Sequence, residues 1–216
     1  MDMLHTFLNL ILHLDQSITL LVGMTGPWIY LVLFLVFFCE TGIIVMAFLP
    51  GDSLLFAIGA FAAYAPDTLN IHVLFILLLT ASVLGNGVNY LTGKWIGPQI
   101  FRRQSSWLFN PAHLERAHRF YERYGSKAIV IARFMPVIRT FAPFVAGIGT
   151  MAYRRFFLFN LFGALIWIGG LLYGSYLFGN IPIIRDHFSG VVLGIITLSL
   201  LPAAMGVARH LFQYAK

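Results

Sequence analysis

Arg133 and Arg139 stand six residues apart in the apolar run ARFMPVIRTFAPFVAG (132–147), with Pro136 between them and Pro143 beyond. A guanidinium keeps its proton at any ordinary pH and presents a planar fork of donors that fits phosphate or carboxylate oxygens. Upstream, Glu40 and Asp52 flank a second break, Pro50 and Gly51, in an equally apolar stretch. On an insertion scale an ionised side chain at the bilayer centre costs ~3 kcal/mol, so four unpaired ones would cost about 12 kcal/mol. That equals the whole folding stability of an ordinary protein. The cost falls if acids and arginines meet, or if they face a water-filled cavity. A carboxylate in an apolar setting can take up a proton, because desolvation favours its neutral form while neighbouring arginines favour the charged one. A fixed cation beside a switchable anion suits a carrier that holds an anion at Arg133 and Arg139 and senses protons at Glu40 or Asp52. The plainer reading is a set of static salt bridges tying two segments together.

The elements that must position these four groups are membrane helices. The chain of 216 residues is 59% hydrophobic and only 10% charged, far from the roughly one-quarter charged composition of a soluble domain. Several apolar runs reach the roughly 20 residues a helix needs to cross hydrocarbon, and no alternating pattern suggests a barrel. The expected fold is an all-α integral membrane protein, a single polytopic domain. An N-terminal amphipathic helix covers 4–26, either lying on the membrane or crossing it. A first repeat covers 28–93, with hairpin turns at Pro50 and Gly51 and a span from 71. A basic segment at 94–127 carries seven Lys and Arg against two Glu, which marks it as cytoplasmic. Within it, residues 111–124 read as a surface helix with Asn110 as N-cap. A second repeat covers 128–179, with hairpin turns at Pro136 and Pro143, and a C-terminal transmembrane helix and tail cover 190–216. The arms 128–135 and 144–152 reach about 12 to 14 Å each, too short for a core of about 30 Å, so the segment reads as a re-entrant hairpin. Arg154 and Arg155 then return to the side that holds Arg123 and Lys127. The same pattern in opposite orientation upstream makes an inverted repeat, the plan of many secondary transporters.

Other chemistry is less well supported. The formal charge of +6 invites a nucleic-acid partner, but all 14 Lys and Arg lie from Lys94 onward, while five of the eight acids precede it. That asymmetry describes topology, so no nucleic acid is expected. The first 93 residues lack Lys and Arg, which argues against a cleaved signal peptide. Cys39 is the single cysteine and reads as a packing residue. His72, His113, His118 and His187 have no partner at ligand spacing, so neither a metal nor another cofactor is expected. With no nucleophile beside a base, the chain reads as a transporter and not an enzyme. Gly170 and Gly174 form a GxxxG whose bland reading is close helix packing.

Taken together, FCETGIIVMAFLPGDSLLF (38–56), GNGVNYLTGKWIG (85–97) and FYERYGSKAIVIARFMPVIRTFAPFVAGIGTM (120–151) resemble the DedA family, also called the SNARE-associated or VTT-domain family, over nearly the whole chain. The resemblance is closest to the bacterial DedA subgroup. It implies a multi-pass protein of the cell inner membrane with two opposed hairpins, serving envelope homeostasis. Members are regarded as translocases (flippases) of phosphate-bearing lipids, including undecaprenyl phosphate, dependent on the proton motive force. The family's functional residues fall here on Glu40, Asp52, Arg133 and Arg139. Where relatives often carry aspartate, this chain has Asn86, which could still bond a headgroup. The expected function is therefore translocation of undecaprenyl phosphate or a related anionic phospholipid, with protons as partner and a homo-oligomer left open. The alternatives are a proton-coupled cation or drug exporter, a structural membrane protein and a lipid phosphatase.

Overall fold

The computed structural model describes residues 26–43, 51–100, 119, 122–149 and 151–181. The described elements are helices, with no strand among them: α1 Trp28–Gly42, α2 Gly51–Tyr64, α3 Ile71–Ile100, α4 Ala128–Ala132, α5 Pro136–Ile148 and α6 Tyr153–Gly179. A 3-10 turn, Gly125–Lys127, leads into α4. Two stretches, Ile71–Trp95 of 25 residues and Tyr153–Gly179 of 27 residues, are long and apolar enough to cross a membrane. At the helical rise they extend about 37 and 40 Å, beyond a hydrocarbon core of about 30 Å. In contrast α1, α2 and α5, of 15, 14 and 13 residues, reach only about 20 to 23 Å. Ile76, Leu158 and Leu177 are each more than three-fifths exposed, a liability in water and the natural state of a helix in lipid.

The chain divides into two compact units. In the first, which takes in residues 26–31, 51–74 and 171–181, α2 meets the C-terminal part of α6 through small residues. Gly59 lies against the Leu172 carbonyl and the Ser175 side chain, and Gly179 lies against the backbone of Ala60 and the methyl of Ala63. Gly59 and Ala63 on one helix, and Ser175 and Gly179 on the other, each repeat at four residues, the spacing that lets backbones approach in lipid. Asn70 caps α3: its Oδ1 accepts the His72 and Val73 N–H groups at 2.9 and 3.2 Å. A cap of this kind contributes about 1 kcal/mol. Tyr30 Oη accepts the Asn70 N–H at 2.9 Å, and the Tyr173 hydroxyl bonds His72 Nδ1 at the same distance.

The second unit takes in residues 32–43, 75–100, 119, 122–149 and 151–170. Two close crossings organise it. Gly42 of α1 packs on Gly85 of α3, where a Cβ would sit 3.3 Å from the neighbouring Cα. Further along α3, Gly93 lies on the backbone of Phe144, and Gly147 of α5 lies on the Tyr90 carbonyl. Tyr90, Ile129, Ala132, Ala142, Ala146, Met151 and Phe156 form the core beside this crossing. Tyr90 is its anchor, with its ring 4.5 Å from that of Phe156 and its hydroxyl donated to the Met151 carbonyl.

Several boundaries differ from those the sequence pattern suggests. Pro143 does not make a turn but lies inside α5. The turn is at residues 133–135, where Met135 is extended at φ −119° and ψ 104°. The steric demand of Pro136 on the residue before it explains that conformation. Pro136 accordingly opens α5, a position where its missing N–H costs nothing. α3 runs on past Gly93 to Ile100, because that glycine serves a crossing and does not end the helix. Gly170 and Gly174, read above as a packing pair, have no described atom within 4 Å of an added Cβ. Gly51 opens α2. Pro50, most of the surface helix at 111–124, Asn110, the N-terminal helix at 4–26, the segment 190–216 and His113, His118 and His187 lie outside the described residues.

Candidate functional site

The second unit holds a buried polar pocket lined by Glu40, Thr41, Asn86, Arg133, Arg139, Thr140 and Trp167. Its walls come from the last turn of α1, the middle of α3, the turn between α4 and α5, the first half of α5, and α6. The break before Pro136 matters here. On one continuous helix Arg133 and Arg139 would stand about 120° apart, whereas the extended Met135 lets both line one pocket. Four residues that the sequence singles out, Glu40, Asn86, Arg133 and Arg139, are thus brought together. Asp52 lies on the first turn of α2, in the other unit.

The two arginines are held in different ways. Arg139 donates from Nη2 to Glu40 Oε1 in a partly buried ion pair. Its guanidinium carbon lies 4.6 Å from the centre of the Trp167 ring, close enough for a cation–π attraction. Arg133 is 6% exposed, and its hydrogen-bond partners among the described residues are neutral oxygens. Nη1 donates to Ser82 Oγ at 3.0 Å, and Nη2 donates to Asn160 Oδ1 at 2.6 Å and to the Asn160 carbonyl at 3.3 Å. Among the described residues no carboxylate lies within ion-pair distance of Arg133. Its Nε has no hydrogen-bond partner among them and passes the bare face of Gly163, where an added Cβ would be 3.1 Å away.

A lattice of amides fixes these positions. Asn160 is fully buried, and its Oδ1 also accepts from Asn86 Nδ2 at 2.9 Å, while its own Nδ2 donates to the Val83 carbonyl at 3.1 Å. Asn89, equally buried, donates to the Thr140 carbonyl at 2.9 Å and to the Thr41 carbonyl at 3.4 Å, joining the two walls that carry Arg139 and Glu40. Trp167, Asn160, Ser82, Asn89, Thr41 and Thr140 escape the sequence reading, although a signal exists. Ser82, Asn86 and Asn89 recur at i, i+4 and i+7, and Asn160, Gly163 and Trp167 at i, i+3 and i+7, each a single helical face.

Chemically, the lining residues carry two guanidinium groups and one carboxylate. Such a site attracts anions and offers forked donors to them. As it stands the central space is about 20 Å³, room for a water molecule. Among the described residues no group of three His, Cys, Asp or Glu could hold a metal.

Residues 49–177 match the family model described as the VTT domain. The protein DedA of Escherichia coli K12 is 44% identical over 210 residues, 97% of this chain and 96% of that protein. An uncharacterized membrane protein of Mycobacterium leprae is 38% identical over 168 residues, 78% of this chain and 74% of its own. The inner membrane protein YqjA of Escherichia coli K12 is 33% identical over 189 residues, 85% and 82% of the two chains. No solved structure matches.

Proposed function

Starting from the premise that this chain belongs to the VTT-domain, or DedA, family of membrane proteins, we propose that it carries an anionic lipid headgroup across the inner membrane together with protons. Undecaprenyl phosphate or a related anionic phospholipid is the substrate class, and envelope homeostasis is the purpose served. The observation that carries this reading is the pocket in which Arg133 is buried against neutral oxygens while Arg139 is paired with Glu40. A phosphate oxygen and the Glu40 carboxylate compete for the same guanidinium. When Glu40 takes a proton, its hold on Arg139 weakens by the loss of a charge-assisted bond, and the phosphate takes its place. When the phosphate leaves, Glu40 loses the proton and the pair re-forms. Proton entry and anion binding are linked in this way, with the proton motive force as the drive. Asp52 is the second proton-sensitive acid.

The turn at 133–135 is the tip of a re-entrant hairpin in this reading, and 28–65 forms its inverted counterpart. The short lengths of α1, α2 and α5 support that plan. A cation or drug exporter would need Glu40 open to substrate, and its pairing with Arg139 weighs against that reading.

Reconstitution in liposomes tests the proposal. The purified protein should accelerate transfer of a tail-labelled phosphatidic acid between leaflets, faster with an inward proton gradient. Arg139→Ala should lose the acceleration, and Glu40→Gln should remove the response to the gradient. An Arg139→Ala variant that transports as fast as the parent protein overturns the reading.

A further inference from the structure

Arg133 is a buried, permanently charged group, and such a group is normally met by a carboxylate. Here Ser82 and Asn160 meet it instead. The orientation of the Asn160 amide is fixed from three sides. Arg133 Nη2 and Asn86 Nδ2 both converge on Oδ1, and the Val83 carbonyl faces Nδ2. Turning the amide over would set donors against donors and a carbonyl against a carbonyl. Asn160 therefore supplies the acceptor that Arg133 needs, from an amide held by three hydrogen bonds, without supplying a negative charge.

We propose that Asn160 is a specificity-determining residue: its neutral amide holds Arg133 in place while leaving the guanidinium charge uncompensated, so that the pocket favours anionic phosphate headgroups over zwitterionic ones. The proposal rests on the functional reading above and deepens it. Arg133 supplies a standing positive charge to the pocket throughout the cycle, while Arg139 alternates between Glu40 and the phosphate. A zwitterionic headgroup carries its own cation into the same space and meets repulsion from Arg133. Aspartate at position 160 has nearly the shape of asparagine but would pair with Arg133 permanently and cancel that charge.

The experiment compares tail-labelled phosphatidic acid with tail-labelled phosphatidylcholine in liposomes holding the full-length protein. The readout is the ratio of their transfer rates, which a general folding defect leaves unmoved. The parent protein should prefer phosphatidic acid. Asn160→Asp should lower the ratio at least ~10-fold, as expected when one charge a few ångströms from the ligand is cancelled. Asn160→Ser, a neutral acceptor, should keep the preference. Because an acid facing the Val83 carbonyl can hinder folding, Ser82→Asp provides a second route, setting a carboxylate at the other anchor of the Arg133 guanidinium, and it should lower the ratio in the same direction. Inorganic phosphate binding to the detergent-solubilised protein, measured in parallel, should fall with the same substitutions if the pocket accepts free phosphate as well as a headgroup. An unchanged ratio in both aspartate variants overturns the inference and leaves the functional reading standing. Equal loss of the ratio in Asn160→Ser and Asn160→Asp overturns it too, because charge would then not be the cause. A parent protein that transfers neither lipid removes both.

Discussion

Arg133 shows how much local fitting one buried charge requires. Its fork is anchored at Ser82 and Asn160, and its stem passes over Gly163, where an added Cβ would stand 3.0 Å from Cδ and 3.1 Å from Nε. The stem cannot yield without drawing the fork away from its two acceptors. Gly163→Ala should therefore destabilise the protein by roughly 1 to 3 kcal/mol, the usual cost of overfilling a packed site, despite the better helix propensity of alanine. Thermal unfolding in detergent should show a lower midpoint, and lipid transfer should fall with it; unchanged values of both would mean that the stem is not pinned. The charged members of the site were legible in the sequence because each is costly in an apolar run. Their pairing was only partly so. Arg139 and Glu40 are 99 residues apart, and Arg133 and Ser82 are 51 apart. Asn89 and Asn160 carry no charge, so the insertion-cost argument passed over them, although their spacing along α3 and α6 marked one face of each helix.

At the level of elements, the most legible feature was the most local one. A proline disfavours helical backbone in the residue before it, and Met135 is extended in line with that preference. Glycine and the second proline were harder to read, because what they do depends on a neighbour. Pro143 stays within α5, and Gly93 allows α3 to cross the backbone of Phe144. The GxxxG at Gly170 and Gly174 faces open space among the described residues, whereas Gly93 does not. These two kinds of glycine should respond oppositely to alanine. Gly93→Ala presses on backbone, which no rotamer change can relieve, so a loss of about 1 to 3 kcal/mol is expected. Gly170→Ala meets no described atom and should stabilise its helix by up to about 1 kcal/mol. Unfolding midpoints of the two variants, measured in the same detergent, should move in opposite directions. A shift of the same sign in both would contradict the assignment of the crossing.

The whole molecule is an α-helical membrane protein whose composition announced its class, since so few charged residues cannot cover a water-facing surface. Composition could not fix how often the chain crosses, because α1, α2 and α5 are apolar yet too short to span alone. The hairpin reading requires residues 127 and 154 to lie on the same side of the membrane, since α4 and α5 between them enter and return. A continuous crossing would place them on opposite sides. Lys127 and Arg154 are both exposed, and Cys39 is the single cysteine, so the question can be put directly. In a Cys39→Ser background, Lys127→Cys and Arg154→Cys should both react with a membrane-impermeant thiol reagent added to inside-out vesicles. Asp67→Cys, which the same reading places on the far side of the span that begins at Ile71, should react only in right-side-out vesicles or spheroplasts. Labelling of positions 127 and 154 from opposite sides would mean that the α4–α5 segment crosses the bilayer. Arg133 and Arg139 would then belong to a spanning element, and the exchange of Glu40 for phosphate at Arg139 would lose the folded-back segment on which its access to the membrane depends.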